Sequence, residues 1–157
     1  MGWTMDIVDA IVGVVAVDHT VIDLSPAGAV RIGDYASADI SGAFAAVMPG
    51  GTGNDEPVSL QDWGARQSVS ILVLCPAASQ DPADRIRAAA NAHDAIMEAL
   101  WAAMIETPLA AFVGVVFNQT VETDILDGSQ YGPTWGGWGV VVIRIGYSVV
   151  IQAGTVP

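Results

Sequence analysis

The segment that most restricts the fold of this chain is a long helical pattern, DPADRIRAAANAHDAIMEALWAAMI, which begins at Asp81. Asp81 is placed to cap the helix, Pro82 takes its first position, and Asp84 lies in its first turn, near the positive end of the helix dipole. Bulky side chains recur at helical spacing and predict one packed stripe, formed by Ile86, Ala90, His93, Met97, Leu100 and Met104.

A second stripe on this helix consists of alanines and lies nearly opposite the bulky one. Its members are Ala88, Ala92, Ala95, Ala99 and Ala102. Alanine is the strongest helix former and the chain is rich in it, so composition alone can account for the stripe. The alternative is an interface in which small side chains allow the backbone of a neighbouring subunit to approach closely. On that interpretation the interface residues are Ala88, Ala92, Ala95 and Ala99.

Shorter apolar runs predict the other elements, of which the first is a helix from about Met5 to Val15 with Thr4 as its N-cap. Strands are predicted over His19–Leu24, Ala43–Gly50 (ending at Pro49), Arg66–Cys75, Ala111–Glu122 and Gly139–Gln152. A loop is predicted from Thr123 to Gly137, between the last two strands.

Alternation within two of these strands predicts which side chains share a face. In the strand over Arg66–Cys75 they are Val69, Ile71, Val73 and Cys75, with Ser68 and Ser70 opposite. In the last strand they are Val141, Ile143, Ile145, Tyr147, Val149 and Ile151, and Gly146 is predicted to mark a bulge or bend. The chain is therefore predicted to be a single domain over residues 1–157. Its class is α+β, with one long helix and one N-terminal helix packed on a largely antiparallel or mixed sheet.

The apolar character of the chain favours an association surface over a membrane span. Hydrophobic residues make up 52% of the chain and the mean hydropathy is +0.49, and an unusually apolar globular chain often hides surface against other subunits. Asp9, Glu98 and Arg144 interrupt the apolar runs before they reach the roughly 20 residues that a spanning helix needs. We also expect no signal peptide, because no basic region precedes an apolar cleavable segment.

The charge balance excludes several classes of function. Seventeen carboxylates face five arginines, there is no lysine, and the formal net charge is -12. Such a field repels nucleic acid, and no basic stripe is present to contact phosphates. The absence of lysine also excludes a Schiff base, a P-loop lysine and a Ser–Lys nucleophile.

The remaining reactive residue types form no recognisable catalytic or metal-binding pattern. His93 is predicted to be buried or half-buried and hydrogen-bonded to the backbone; the alternative is a general base, which needs a carboxylate or nucleophile across the core. His19 lies too far along the chain to give metal-ligand spacing with it. Cys75 stands in an apolar strand and is predicted to be an inert buried thiol. The acidic run Glu122, Asp124 and Asp127 resembles part of a calcium loop, but its spacing is wrong and no closing glutamate follows. We therefore predict no catalytic residue, cofactor or metal.

An aromatic, glycine-rich segment, YGPTWGGWG, runs from Tyr131 to Gly139. Trp138 adjoins the last strand and is predicted to pack on the domain's own core. Trp135 lies nearer the tip and, with Tyr131, is the predicted contact with another protein chain, since large aromatics dominate the energetics of such contacts. The alternative is a small-molecule or carbohydrate-binding module that uses these aromatics as stacking platforms.

The order of these elements resembles the tail terminator (tail completion) proteins of long-tailed bacteriophages, and the related neck proteins that join head to tail. The similarity covers about Met5 to Gln152 and rests on the length, the element order, the first helix MDIVDAIVGVV and the long helix DPADRIRAAANAHDAIMEALW. It implies a non-enzymatic virion protein, assembled in the host cytoplasm, that forms a homo-oligomeric ring of six subunits. The implied partners are the tail tube protein, whose polymerisation the ring ends, and the head–tail connector.

Overall fold

The computed structural model describes residues 3–33, 42–50, 56–57, 62–77, 81–131 and 136–152. Its helices are α1 (Trp3–Val15), α2 (Pro82–Trp101) and the single turn α3 (Gly128–Tyr131). Its strands are β1 (Val30–Ile32), β2 (Phe44–Pro49), β3 (Glu56–Pro57), β4 (Asp62–Pro76), β5 (Val115–Asp127) and β6 (Trp138–Gln152). A π-helical turn over Ala102–Glu106 continues α2, and a 3-10 turn over Ala110–Phe112 precedes β5. This architecture confirms the predicted α+β class.

The strands form one mixed sheet in the order β1-β2-β4-β6-β5, with β3 pairing to β4 beside that path. Strands β1 and β2 are parallel, and the other pairs are antiparallel. The two central strands, β4 and β6, pair over 15 residues each, from Asp62 opposite Gln152 to Pro76 opposite Trp138. They are the frame against which the helices pack.

The main core lies between this sheet and helices α1 and α2. The sheet contributes alternate residues of β4 and β6, which are Val69, Ile71, Val73, Cys75, Val141, Ile143, Ile145 and Tyr147. They confirm the predicted faces as far as Tyr147, and the side chains of Val149 and Ile151 lie outside the described residues. The helices contribute Ile7, Val8 and Ile11 from α1 and Ile96 and Leu100 from α2. Alternation in the two strands thus specified one side of the core correctly.

The start of α2 is confirmed: Asp81 caps the helix by accepting a hydrogen bond from the backbone N–H of Ala83 at 3.0 Å. The predicted packed stripe is confirmed at the C-terminal end of the helix, where Leu100 and Met104 are buried, and is wrong at the N-terminal end. The residues that α2 buries are Arg85, Ala89, Ala92, Ile96 and Leu100, whereas Ile86 of the predicted stripe is 40% exposed. The reason is the close approach of α2 to β6, where a side chain at Gly139 would meet Ala89 and the carbonyl oxygen of Arg85. Small side chains face the sheet there, and large ones face it further along the helix.

This orientation also changes the alanine stripe. Ala92 is 1% exposed and belongs to the main core, so it cannot contact a neighbouring subunit. Ala88, Ala95 and Ala99 are half-buried along the flank of α2. The alanine stripe therefore does not lie wholly opposite the core, since Ala92 faces the sheet, and the interface role of Ala88, Ala95 and Ala99 stays a prediction.

Three other local predictions need correction. His19–Leu24 is a turn closed by one bridge between Asp18 and Asp23, not a strand. Thr4 lies inside α1, which begins one residue earlier. Strand β5 continues to Asp127, so the first part of the predicted Thr123–Gly137 loop is a strand.

The irregularity predicted at Gly146 lies on the neighbouring strand. Phe117 of β5 pairs with Tyr147 and Val121 pairs with Ile145, so β5 has extra residues opposite Gly146. Strand β4 passes Gly146 in unbroken register, with Ser68 as its partner. The bulge therefore bends the edge strand and leaves the central pair regular.

The opposite face of the sheet carries a second, smaller apolar cluster formed by Phe44, Ala46, Leu72, Leu74 and Val140. Trp138 is half-buried and packs against it, which confirms the prediction that this tryptophan belongs to the domain's own core. This face of β4 carries Ser68 and Ser70 in one half, as predicted, and Leu72 and Leu74 in the other half.

Candidate protein-interaction surface

The structure leaves the predicted aromatic contact untested. Tyr131 ends α3, but its side chain lies outside the described residues, and so does Trp135. Their role in contacting another chain, or in stacking on a sugar, stays a prediction.

A different apolar surface stands out at the C-terminal end of α2 and the two turns that follow. Four large side chains, spaced four residues apart, are exposed: Trp101 (57%), Ile105 (48%), Leu109 (43%) and Val113 (71%). These four residues are called the Trp101 patch below. Exposed apolar side chains scattered singly are ordinary, but a run of this kind on one short segment is typical of an association surface.

The backbone under the Trp101 patch is held by local hydrogen bonds and by buried neighbours. The N–H of Thr107 donates to the carbonyl of Ala102, and that of Leu109 donates to the carbonyl of Ala103, each at 2.9 Å. These bonds close the π-helical turn and fold the chain back on the end of the helix. The patch is anchored by three side chains of the same segment that point into the core: Leu100, Met104 and Phe112. The exposed side chains therefore stand on an ordered frame.

The surroundings of the patch are acidic. No arginine or lysine occurs between Arg87 and Arg144. Glu98 and Glu106, which flank Trp101 and Ile105 in the sequence, are both exposed. A partner that covers the apolar side chains would meet negative charge at their margin, so electrostatic complementarity requires basic groups on that partner.

A buried ion pair fixes the start of the aromatic segment. The guanidinium of Arg85 donates from Nε to Oδ1 of Asp127 at 2.6 Å and from a terminal nitrogen to Oδ2 at 3.2 Å. The Ser129 hydroxyl donates to the same carboxylate at 2.6 Å, and the side-chain oxygen of Gln130 accepts from the backbone N–H of Asp127 at 3.1 Å. This network joins the first turn of α2 to the end of β5 and to α3.

The electrostatics of this pair favour the charged forms of both side chains. The hydrogen bonds from Arg85 and then from Ser129 lower the pKa of Asp127 from its ordinary value of 3.8 to about 2. The hydrogen bond to Asp127 raises the pKa of Arg85. The carboxylate that the sequence offered as part of a calcium loop is thus the partner of a buried arginine, while Glu122 forms a looser, exposed pair with Arg144 at 3.6 Å. Over the described residues, no group of three or more potential metal ligands comes together.

The histidines and the cysteine form no nucleophile–base arrangement within the described part of the chain. Nδ1 of His93 lies 2.9 Å from Oδ1 of Asp94 at the edge of the core, so its partner is a neighbouring carboxylate and not the predicted backbone group. Nε2 of His19 lies 2.9 Å from the carbonyl oxygen of Val15, at the end of α1. Burial raises the pKa of Cys75 to about 12, as expected of an unreactive thiol.

An open cleft of about 320 Å³ lies beside Cys75, between the turn at residues 21–23 and α2. Asp23 contributes its one carboxylate, and hydrogen bonds from the hydroxyl and N–H of Ser25 lower its pKa. Because Cys75 is held protonated and Asp23 is already bonded, the cleft offers no pair of groups suited to acid–base catalysis.

Comparison with known proteins adds no family to these observations. No protein-family model matches the chain, and no curated protein shows significant similarity to it. None of the helices within the described ranges is long and apolar enough to cross a membrane.

Trp101 is the residue that the sequence reasoning missed. Its signal was present, because it falls one position after Leu100 and outside the bulky stripe of the helix. A tryptophan that stands off the packed face of an amphipathic helix is exposed unless another chain covers it. In the structure it is the most exposed residue of α2 among the large hydrophobic ones.

Proposed function

We propose that this chain is a structural assembly protein of a phage virion. It forms a homo-oligomeric ring that caps the tail tube, ends tube polymerisation and joins the tail to the head connector. The observation that carries the proposal is the Trp101 patch, an exposed apolar surface on an ordered frame. The particular role is proposed because the order of the elements in the sequence resembles that of tail terminator proteins.

The patch suits a contact with the end of the tail tube better than a contact with a second copy of itself. If two copies met through this surface, Glu98 and Glu106 of both would lie at one interface with no basic residue of the segment to offset them. Like charges brought together cost free energy and oppose such a contact. A tube subunit with basic groups around an apolar groove would cover Trp101 and pair with both glutamates.

A ring also needs two different lateral surfaces, because each subunit contacts its neighbours head to tail. The remaining axial face is then available to the head connector. The acidic balance of the chain fits a channel through which DNA passes without being bound, since a surface of net charge -12 repels phosphates.

The proposal is tested by mixing gold-labelled protein with preformed tail tubes and locating the gold particles on the tubes by negative-stain electron microscopy. We expect label at one end of each tube, because the tube presents a single growing end. Label spread along the tube wall, or no label on tubes at protein concentrations well above the micromolar range, contradicts the proposal. Release of the protein by soluble sugars in the same experiment would favour the carbohydrate-binding alternative.

A further inference from the structure

Among the residues that the structure describes, β1 and β5 are the two ends of the main strand order, and β5 is exposed along its middle. Four consecutive residues of β5, from Val121 to Asp124, are exposed, so neither face of the strand is covered there. Within the described residues β5 pairs with β6 alone. An uncovered edge strand presents unpaired N–H and C=O groups and is a template for pairing with another strand.

The strand registers place residues of β1 and β5 in the same lateral rows of the sheet. Arg31 of β1 pairs with Ala46, which pairs with Leu72, which pairs with Val142, which pairs with Asp124 of β5. The rows on either side connect Val30 to Ile125 and Ile32 to Thr123 in the same way. If the sheet continued sideways into a second copy with no shift along the strands, these three pairs would stand opposite one another.

The chemistry of each pair fits such a contact. Arg31 meets Asp124 on the side of the sheet that carries the second apolar cluster, and no carboxylate pairs with Arg31 among the described residues of its own chain. Its guanidinium lies 5.4 Å from the centre of the Phe44 ring. Val30 and Ile125, on the helix-covered side, are each half-buried at an end of the main core. Ile32 is 46% exposed and faces Thr123. The contact would cover apolar edges and pair two opposite charges.

The direction of the strands also fits. Because β1 and β2 are parallel and each later neighbour is antiparallel, β5 runs opposite to β1, so the new pair is antiparallel, the more stable arrangement. Two β5 strands could not pair equally well, because Glu122 and Asp124 of both copies would come together. The acidic residues of β5 therefore disfavour β5–β5 pairing and favour pairing with β1, which carries Arg31.

We propose that copies of this chain join head to tail by antiparallel pairing of β5 of one copy with β1 of the next, with Asp124 opposite Arg31. The proposal rests on the ring of the proposed function and names its lateral contact. A heterologous contact of this kind closes into a ring when the rotation between neighbours divides a full turn.

Cysteine cross-linking tests the register. Ile32→Cys and Thr123→Cys together place two thiols directly opposite each other across the contact, at a separation that a disulfide can bridge with small adjustments. Native Cys75 is buried and does not compete. Under oxidising conditions we expect a ladder of covalent oligomers on a non-reducing gel, since the two edges of one chain are too far apart to join. The matched control, Ile32→Cys with Val121→Cys, keeps the same face and shifts the pair by two residues. A ladder no stronger than that of this control overturns the proposal.

Charge exchange tests the Arg31–Asp124 pair independently of any cross-link. Arg31→Asp and Asp124→Arg should each lower the association constant about tenfold, the scale of replacing one attractive cross-strand pair by a repulsive one. The two substitutions together should restore association, as measured by sedimentation velocity. A combined variant that associates no better than the single ones contradicts this pairing, and unfolding curves of each variant show whether the monomer is intact.

These tests can fail separately from the proposed function. If the protein labels tube ends but does not cross-link specifically, either free or on tubes, the edge contact is refuted and the capping role is retained. Protein that cross-links specifically but leaves tube ends unlabelled would support the edge contact and contradict the capping role.

Discussion

Replacing Trp101 with alanine should weaken association strongly while changing the stability of the isolated chain little. Trp101 is 57% exposed. A tryptophan side chain buries up to about 250 Å², so about 140 Å² remains for a partner to cover, which corresponds to about 3.5 kcal/mol at roughly 25 cal/mol per Å². The affinity for tube ends should therefore fall about 300-fold. Folding should lose about 1 kcal/mol, since the helix propensity of alanine offsets part of the lost packing.

Two matched variants separate this effect from general damage. Leu100→Ala removes the neighbouring side chain, which is 1% exposed, and should cost about 2–5 kcal/mol of unfolding free energy. Ile86→Ala removes an exposed apolar side chain at the other end of α2 and should leave the affinity unchanged. Urea denaturation measures the unfolding free energy, and titration of gold-labelled protein onto tube ends measures the affinity. If Trp101→Ala destabilises the chain as much as Leu100→Ala, or leaves the affinity within about twofold, the reasoning is wrong.

Three further predictions concern the frame that holds these surfaces. The Asp127–Arg85 pair contributes stability above about pH 4 that is lost as the pH falls towards 2, because folding lowers the pKa of Asp127. The difference in urea midpoint between the native chain and Asp127→Asn should therefore shrink over that range. A constant difference would contradict this prediction. Gly139→Ala should cost about 1–3 kcal/mol in urea unfolding, because the added methyl group meets Ala89 and the carbonyl of Arg85; an unchanged midpoint would show that α2 can move. Cys75 should react with a thiol reagent only at the rate of unfolding, since it is buried and stays protonated; fast labelling of the folded chain would disprove this.

Local signals in the sequence located elements well. Asp81 and Pro82 set the start of α2, since a capping carboxylate and a proline act within one turn. Alternation gave the core faces of β4 and β6, and the last strand was placed to within one residue of its observed start. Those features depend on neighbours in the sequence, which is why a pattern can reveal them.

Features that depend on distant contacts were missed. The face that α2 buries follows from its close approach to Gly139, more than 40 residues away along the chain, and the bulky stripe could not show it. Arg85 and Asp127 are 42 residues apart in the sequence, and no sequence pattern near either residue indicates that they pair. The strand signal of Thr123–Asp127 is weak, so the sequence predicts a loop there. The segment is a strand because it pairs with β6.

If this protein ends the growth of tail tubes, as proposed, it changes the length distribution of tubes grown in its presence. Tail tube protein is polymerised with and without this chain, and tube lengths are measured from electron micrographs at several times. We predict that tubes grown with the protein stop lengthening once it is added, at whatever length they have reached, while tubes without it continue to grow. Equal growth in both samples, with the protein in excess over tube ends, would contradict the account.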